Sequence, residues 1–149
     1  MADGPAWRVR VADWAGESAR LGVLREAVFV QEQRVPPEEE YDGRDAECVH
    51  VVAEDAAGSV IGTGRLLPEG HIGRMAVAPA WRGSGVGRAL LEALLACARE
   101  RGFATVELSA QTHAIAFYER CGFRAEGPEF MDAGIPHRRM RRPLDREGS

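Results

Sequence analysis

The stretch that most constrains this chain is Val77 to Leu90, which reads Val-Ala-Pro-Ala-Trp-Arg-Gly-Ser-Gly-Val-Gly-Arg-Ala-Leu. It is a strand, a short link, a glycine-rich turn and the start of a helix. Gly83, Gly85 and Gly87 let the backbone curl tightly and come close to another group without side-chain obstruction. Behind them a helix is expected from about Gly85 to Arg101. It turns Leu90, Leu91, Leu94, Leu95 and Ala98 to one side and closes at Gly102. The first N–H groups of a helix lack intrahelical partners and carry partial positive charge, so this turn suits an anion such as a diphosphate. Arg82, Val86 and Arg88 flank the glycines; the two arginines add charge-assisted contacts and Ser84 a hydroxyl donor. A merely flexible turn ahead of an amphipathic helix would carry similar glycines.

Two nucleotide-binding rivals fit less well. A P-loop needs Gly-Lys-Ser/Thr, and the chain contains no lysine. A dinucleotide fingerprint counted from Gly83 needs a small residue where Arg88 stands; counted from Gly85 it meets Leu90. Glu107 is the one feature in its favour.

The rest of the chain reads as a single domain with its core at about residues 7–142. Residues 7–11 alternate as a strand, and a helix is expected from about Ser18 to Gln33, where Pro36 and Pro37 forbid continuation. Strands follow at Cys48–Ala53, Ser59–Leu67 and His71–Ala78, separated by glycine turns. After the long helix come a strand at Phe103–Ser109 and a helix over 112–120 ended by Gly122. A short strand at Phe123–Glu126 and a final one at Ile135–Arg142 complete the series. The order is α+β, with a mixed, mostly antiparallel central sheet flanked by helices.

Composition excludes several classes. With 149 residues, 45% of them apolar, the chain can bury one core. Cys48, Cys97 and Cys121 lie far apart and form no CxxC pair, so neither a zinc site nor a disulfide framework is expected, and no metal. No apolar run approaches the roughly 20 residues of a membrane span, and the N-terminus lacks a signal-peptide pattern. A cytoplasmic protein is expected, with no membrane partner. A net charge of −4 argues against a nucleic-acid partner. All 19 basic residues other than histidine are arginine, so Schiff-base chemistry on a lysine is excluded.

Two motifs together resemble a known family. Arg82-x-x-Gly85-x-Gly87 resembles the Q/R-x-x-G-x-G/A motif of the GNAT superfamily of N-acetyltransferases. About thirty residues on, Gln111-x-x-Ala114-x-x-Phe117-Tyr118-x-x-x-Gly122-Phe123 resembles its second signature, with glutamine where asparagine is usual. Val28-Phe-Val-Gln-Glu-Gln33, Asp42-Gly43, Gly62-Thr-Gly-Arg-Leu-Leu67 and Gly134-Ile-Pro-His137 look like the ElaA/YjcF-like branch.

The resemblance implies acetyl-CoA as cosubstrate, its diphosphate on the 82–88 turn, and a primary amine as acceptor, a small molecule before a protein lysine. Met75 and Ala76 are then the backbone that pairs with the pantetheine arm, and the Val77 N–H faces the thioester oxygen. Gln111, Ala114 and Phe117 line the same arm, and Tyr118 matches the general acid for the departing thiolate. Phe29, Glu32 and Gln33, with His50, are expected toward the acceptor. A homodimer is possible by the same resemblance.

The base that takes the amine proton stays open among His137, His50, Glu32 and Glu40. His137 leads, because Gly134-Ile-Pro is a tight, preset approach to an imidazole, a group that titrates near neutrality. The acidic run Glu38–Glu47 reads first as a solvated loop and second as an attraction for a cationic acceptor. Arg138, Arg139, Arg141 and Arg142 read as charges guarding an edge strand. A CoA-binding module without turnover, or a partner-binding domain that binds no CoA, are the alternatives to an enzyme.

Overall fold

The computed structural model describes residues 6–144. Four strands, β1 (Trp7–Ala12), β2 (Val49–Asp55), β3 (Val60–Leu66) and β4 (Ile72–Val77), pair antiparallel in chain order. Three more, β5 (Thr105–Gln111), β6 (Arg124–Asp132) and β7 (Ile135–Pro143), form a second antiparallel sheet in the order β5-β7-β6. Among the described residues the sheets meet at one isolated parallel bridge, His71 to Glu107. Beyond it β4 and β5 part. The mixed character of the sheet rests on that bridge.

Helix α3 (Val86–Glu100) covers the first sheet, with Leu90, Leu91, Leu94, Leu95 and Ala98 fully buried. Each buried leucine contributes roughly 1.5–3 kcal/mol over leaving it in water. The approach is close because β3 carries Gly62 and Gly64. A Cβ at Gly62 would sit 2.7 Å from Leu90 Cδ1, and one at Gly64 would sit 2.9 Å from Leu94 Cδ1. Helix α4 (Ile115–Arg120) packs against the second sheet and closes on Gly122, at φ +91°.

Three expectations need correction. The first helix is not α throughout: α1 (Trp14–Arg25) passes into a π-helical stretch over Glu26–Glu32, where the Gln33 N–H donates to the Val28 carbonyl at 3.0 Å. The strand after Gly122 runs to Asp132 rather than Glu126. Gly127 and Pro128 do not end it; they sit in a bulge, with Gly127 at φ +79°, and pairing resumes at Phe130. And β7 is the middle strand of its sheet, not an edge. Two of its arginines clamp neighbours: Arg138 donates to the Gly127 carbonyl at the bulge, and Arg142 to the Cys121 carbonyl at the end of α4.

Candidate active site

A cleft of about 430 Å³ opens where β4 and β5 part. Its floor is shaped by an irregularity in β4. Thr63 faces Ala76 and Arg65 faces Gly73, so Gly64 alone opposes Arg74 and Met75. This is a bulge, and Arg74 sits in it at φ +51°. A left-handed conformation costs a non-glycine residue roughly 1–2 kcal/mol, so something must hold it.

The holder is the acidic segment after Pro37. Helix α2 (Pro37–Glu40) and the turn behind it place Glu40, Asp42 and Asp45 among Arg25, Arg65 and Arg74. Arg25 is 2% exposed and Glu40 1%. Arg25 reaches Glu40 at 3.0 Å and Asp45 at 2.9 Å; Arg65 reaches Asp42 at 2.6 Å and Asp45 at 2.8 Å. Arg74 lies 2.9 Å from Glu40 and donates to the Glu39 and Glu40 carbonyls. The Arg65 guanidinium holds the Asp42 carboxyl well below the usual carboxylate range. The expectation of a solvated loop therefore fails for three of its carboxylates. The run of acids has its partners on β3, β4 and α1, which sequence proximity does not reveal.

Tyr118 lines the cleft from α4, packed edge-on to Phe117 and Phe123 with centroids at 5.1 and 5.9 Å. Burial pushes its phenol up to about 12, so the hydroxyl stays protonated at neutral pH. His137, 8% exposed, lines the same cleft from β7 and stacks on Phe130. Its Nδ1 lies 2.7 Å from the Ile135 carbonyl, which can only accept. Nδ1 therefore carries the proton, and Nε2 holds the lone pair in the neutral ring.

Gln111 and Gln33 join across the cleft wall, Gln111 Nε2 donating to Gln33 Oε1 at 3.0 Å. The longer arm of glutamine lets the amide reach the end of the first helical segment. Phe29, Met75 and Ala114 also line the cleft. Ala76 is buried beside it, against Leu24 and Val28.

At the other end, Gly83 and Gly85 take φ +79° and +94°, and Gly85 caps α3 with no side-chain cap. The N–H groups of the first turn, Val86, Gly87 and Arg88, thus face outward from a helix start without a capping side chain. A Cβ on Gly87 would lie 3.7 Å from Val77 and 3.9 Å from Phe117, which places both beside the turn. The Ser84 hydroxyl donates to the Trp81 carbonyl. Arg82 is already engaged: its fork grips Glu32 with two bonds of 2.7 Å, and its Nε donates to the Val77 carbonyl. That grip keeps the Glu32 carboxyl below its ordinary range. One residue expected at the diphosphate and one expected at the acceptor are thus each other's partners.

His50 is not brought to the cleft. It is 3% exposed, stacked on Trp14 at 4.1 Å, and its Nε2 donates to the Asp45 carbonyl. Burial lowers its affinity for a proton.

The acetyltransferase (GNAT) domain family matches residues 15–144. This chain belongs to the GNAT acetyltransferases. The uncharacterized N-acetyltransferase YjcF of Bacillus subtilis (strain 168) is 41% identical over 121 residues, 78% of this chain and 86% of YjcF. An acyl-CoA N-acyltransferase from Pseudomonas aeruginosa superposes with a TM-score of 0.77 at 35% identity, over 91% of this chain and 97% of that one. Escherichia coli ElaA superposes with a TM-score of 0.78 at 29% identity, over the same shares. The chain is thus an acyltransferase of the ElaA/YjcF-like branch, and GNAT enzymes use acyl-CoA. The residues present fit that molecule: an uncapped helix start behind left-handed glycines suits its diphosphate, and the parted strands leave room for its arm.

Sequence reasoning missed several lining residues of this GNAT cleft. Arg74, His71, Ser109 and Asp132 all border it. Only Asp132 carried a signal, the Asp-Ala-Gly turn that makes the β6–β7 hairpin. Burial lowers the pKa of His71, which keeps its ring neutral at pH 7.

Proposed function

We propose that this GNAT enzyme transfers an acetyl group from acetyl-CoA to a primary amine of a small molecule by direct attack. Tyr118 protonates the departing thiolate. Acetyl-CoA supplies the activated acyl carbon; the chain supplies place, proton and polarity. Backbone N–H groups from Gly83 to Arg88 hold the diphosphate, with Arg88 as flanking charge and Arg82 joining it once it lets go of Glu32. Met75 and Ala76 pair with the pantetheine arm along the edge that β4 leaves open, and the Val77 N–H polarises the thioester oxygen. Phe117 and Ala114 bound the arm, and Gln111 and Gln33 fix the wall between cofactor and acceptor.

The observation that carries this reading is Tyr118 in the wall of the cleft between the parted strands. A phenol with its pKa near 12 is a weak acid toward an ordinary thiolate. The apolar surroundings that raise the phenol also raise a thiolate beside it, which brings the two closer in basicity. His137 takes the amine proton through Nε2, its tautomer set by the Ile135 carbonyl.

Replacing Tyr118 with Phe tests the assignment. The turnover number should fall by about 10²–10⁴ while the dissociation constant for acetyl-CoA, read by calorimetry, changes little. A variant that keeps wild-type turnover would remove the tyrosine from the chemical step. Tight acetyl-CoA binding with no amine-dependent thiol release across a broad panel would leave a binding module instead.

A further inference from the structure

The charges around the cleft do not cancel where an acceptor enters. Four carboxylates and one guanidinium line it: Glu39, Glu40, Asp42, Asp132 and Arg74. Arg74 is engaged by Glu40 at 2.9 Å, by Asp42 at 3.4 Å and by two carbonyls of α2. Glu40 and Asp42 are shared in turn with the arginines behind them. Three guanidiniums and three carboxylates close on one another, which leaves no cation of that set free for a ligand.

Glu39 and Asp132 stand outside the balance. Among the described residues neither carboxylate forms an ion pair, and both are exposed. They rise from different walls, Glu39 from α2 and Asp132 from the tip of the β6–β7 hairpin. His137 lines the same cleft, more than nine-tenths buried, its Nδ1 satisfied and its Nε2 without a partner among the described residues. An acceptor nitrogen open to the cleft suits an N–H, and the carboxylates that line the same cleft suit positive charge beyond it.

We infer that the acceptor is a short diamine or oligoamine: one amine reacts beside His137, and a distant ammonium is held by Glu39 or Asp132. The inference rests on the transfer reading above. An amine that carries a carboxylate fares worst, because its anion meets Glu39 and Asp132 while Arg74 is already committed. A plain alkylamine gains no ion pair.

Diaminobutane, butylamine and aminobutanoate share one four-carbon chain and differ only at the far end. With acetyl-CoA saturating, kcat/KM for diaminobutane should exceed that for butylamine by about two- to fivefold, and aminobutanoate should fall below both. Salt should shrink the advantage. Glu39→Gln combined with Asp132→Asn should bring the diamine-to-monoamine ratio toward one. Both side chains are exposed, so the substitutions spare the core. A diamine no better than butylamine, or a ratio unmoved by the double substitution, overturns the inference and leaves the transfer reading standing. Acetyl-CoA binding with none of the three amines acetylated, nor any other in a broad panel, removes the transfer reading and this inference with it.

Discussion

Replacing Arg25 with Met probes the ion-pair network directly. Arg25 is 2% exposed and makes two contacts, Glu40 at 3.0 Å and Asp45 at 2.9 Å. Removing one partner of a buried pair costs about 3–5 kcal/mol, because the other charge stays buried. Here both orphans keep a second cation: Glu40 keeps Arg74 at 2.9 Å, and Asp45 keeps Arg65 at 2.8 Å. The cost should therefore fall at the low end, about 3 kcal/mol, which includes the stacking of the guanidinium over Trp14 at 5.4 Å. Urea unfolding at neutral pH should show the midpoint lowered with the slope unchanged. For a chain of this size the melting temperature should drop by about 6–12 °C. A loss below about 1 kcal/mol would refute the reasoning, for it would mean that water already shares these charges.

Three further outcomes are expected. Gly62→Ala pushes a methyl to within 2.7 Å of Leu90 and 3.0 Å of Val86, both in the first turns of α3. Denaturation should show a loss of about 1–3 kcal/mol, and acetyl-CoA titration should show weaker binding, because the turn proposed to hold the diphosphate moves with that helix. Asp42 has its pKa lowered in the folded state, chiefly by Arg65. Its stabilising contribution is therefore complete above the ordinary aspartate value near 4 and fades as pH falls through the depressed folded value. Melting temperatures from pH 7 downward should hold until about pH 4 and then fall, and Asp42→Asn should flatten that fall. Burial pushes the Tyr118 phenol up to about 12, so the pH–rate profile should show no alkaline decline from phenol ionisation below about pH 10. A decline well below that value, absent in Tyr118→Phe, would contradict the raised phenol while keeping the tyrosine in the chemical step.

Local signals in the sequence located most of the elements and the glycine turn. The 3.6-residue spacing of Leu90, Leu91, Leu94 and Leu95 specifies α3, because a helix of this composition must bury one stripe. Tyr118 and His137, 19 positions apart in the chain, were legible as candidates, and the fold brings both to one cleft. What escaped was set by pairing between distant segments. Arg138, Arg139, Arg141 and Arg142 read as charges guarding an edge strand, yet β5 and β6 flank their strand on both sides, and Arg138 and Arg142 serve as backbone clamps. The acids after Pro37 looked solvated because their three arginines come from positions 25, 65 and 74. The left-handed Arg74 gave no sign at all: its conformation follows from the register of β3 and β4 and from the grip of α2.

Among the described residues, the bridge between His71 and Glu107 is a single stitch between two halves that otherwise keep their main-chain edges to themselves along the gap. A guest laid along those edges would serve as mortar. Resistance to heat should then climb with the logarithm of guest concentration, by about 2.7 kcal/mol at a hundredfold excess over its dissociation constant. The melting curve of this protein would thus double as a gauge of how fully the gap is filled.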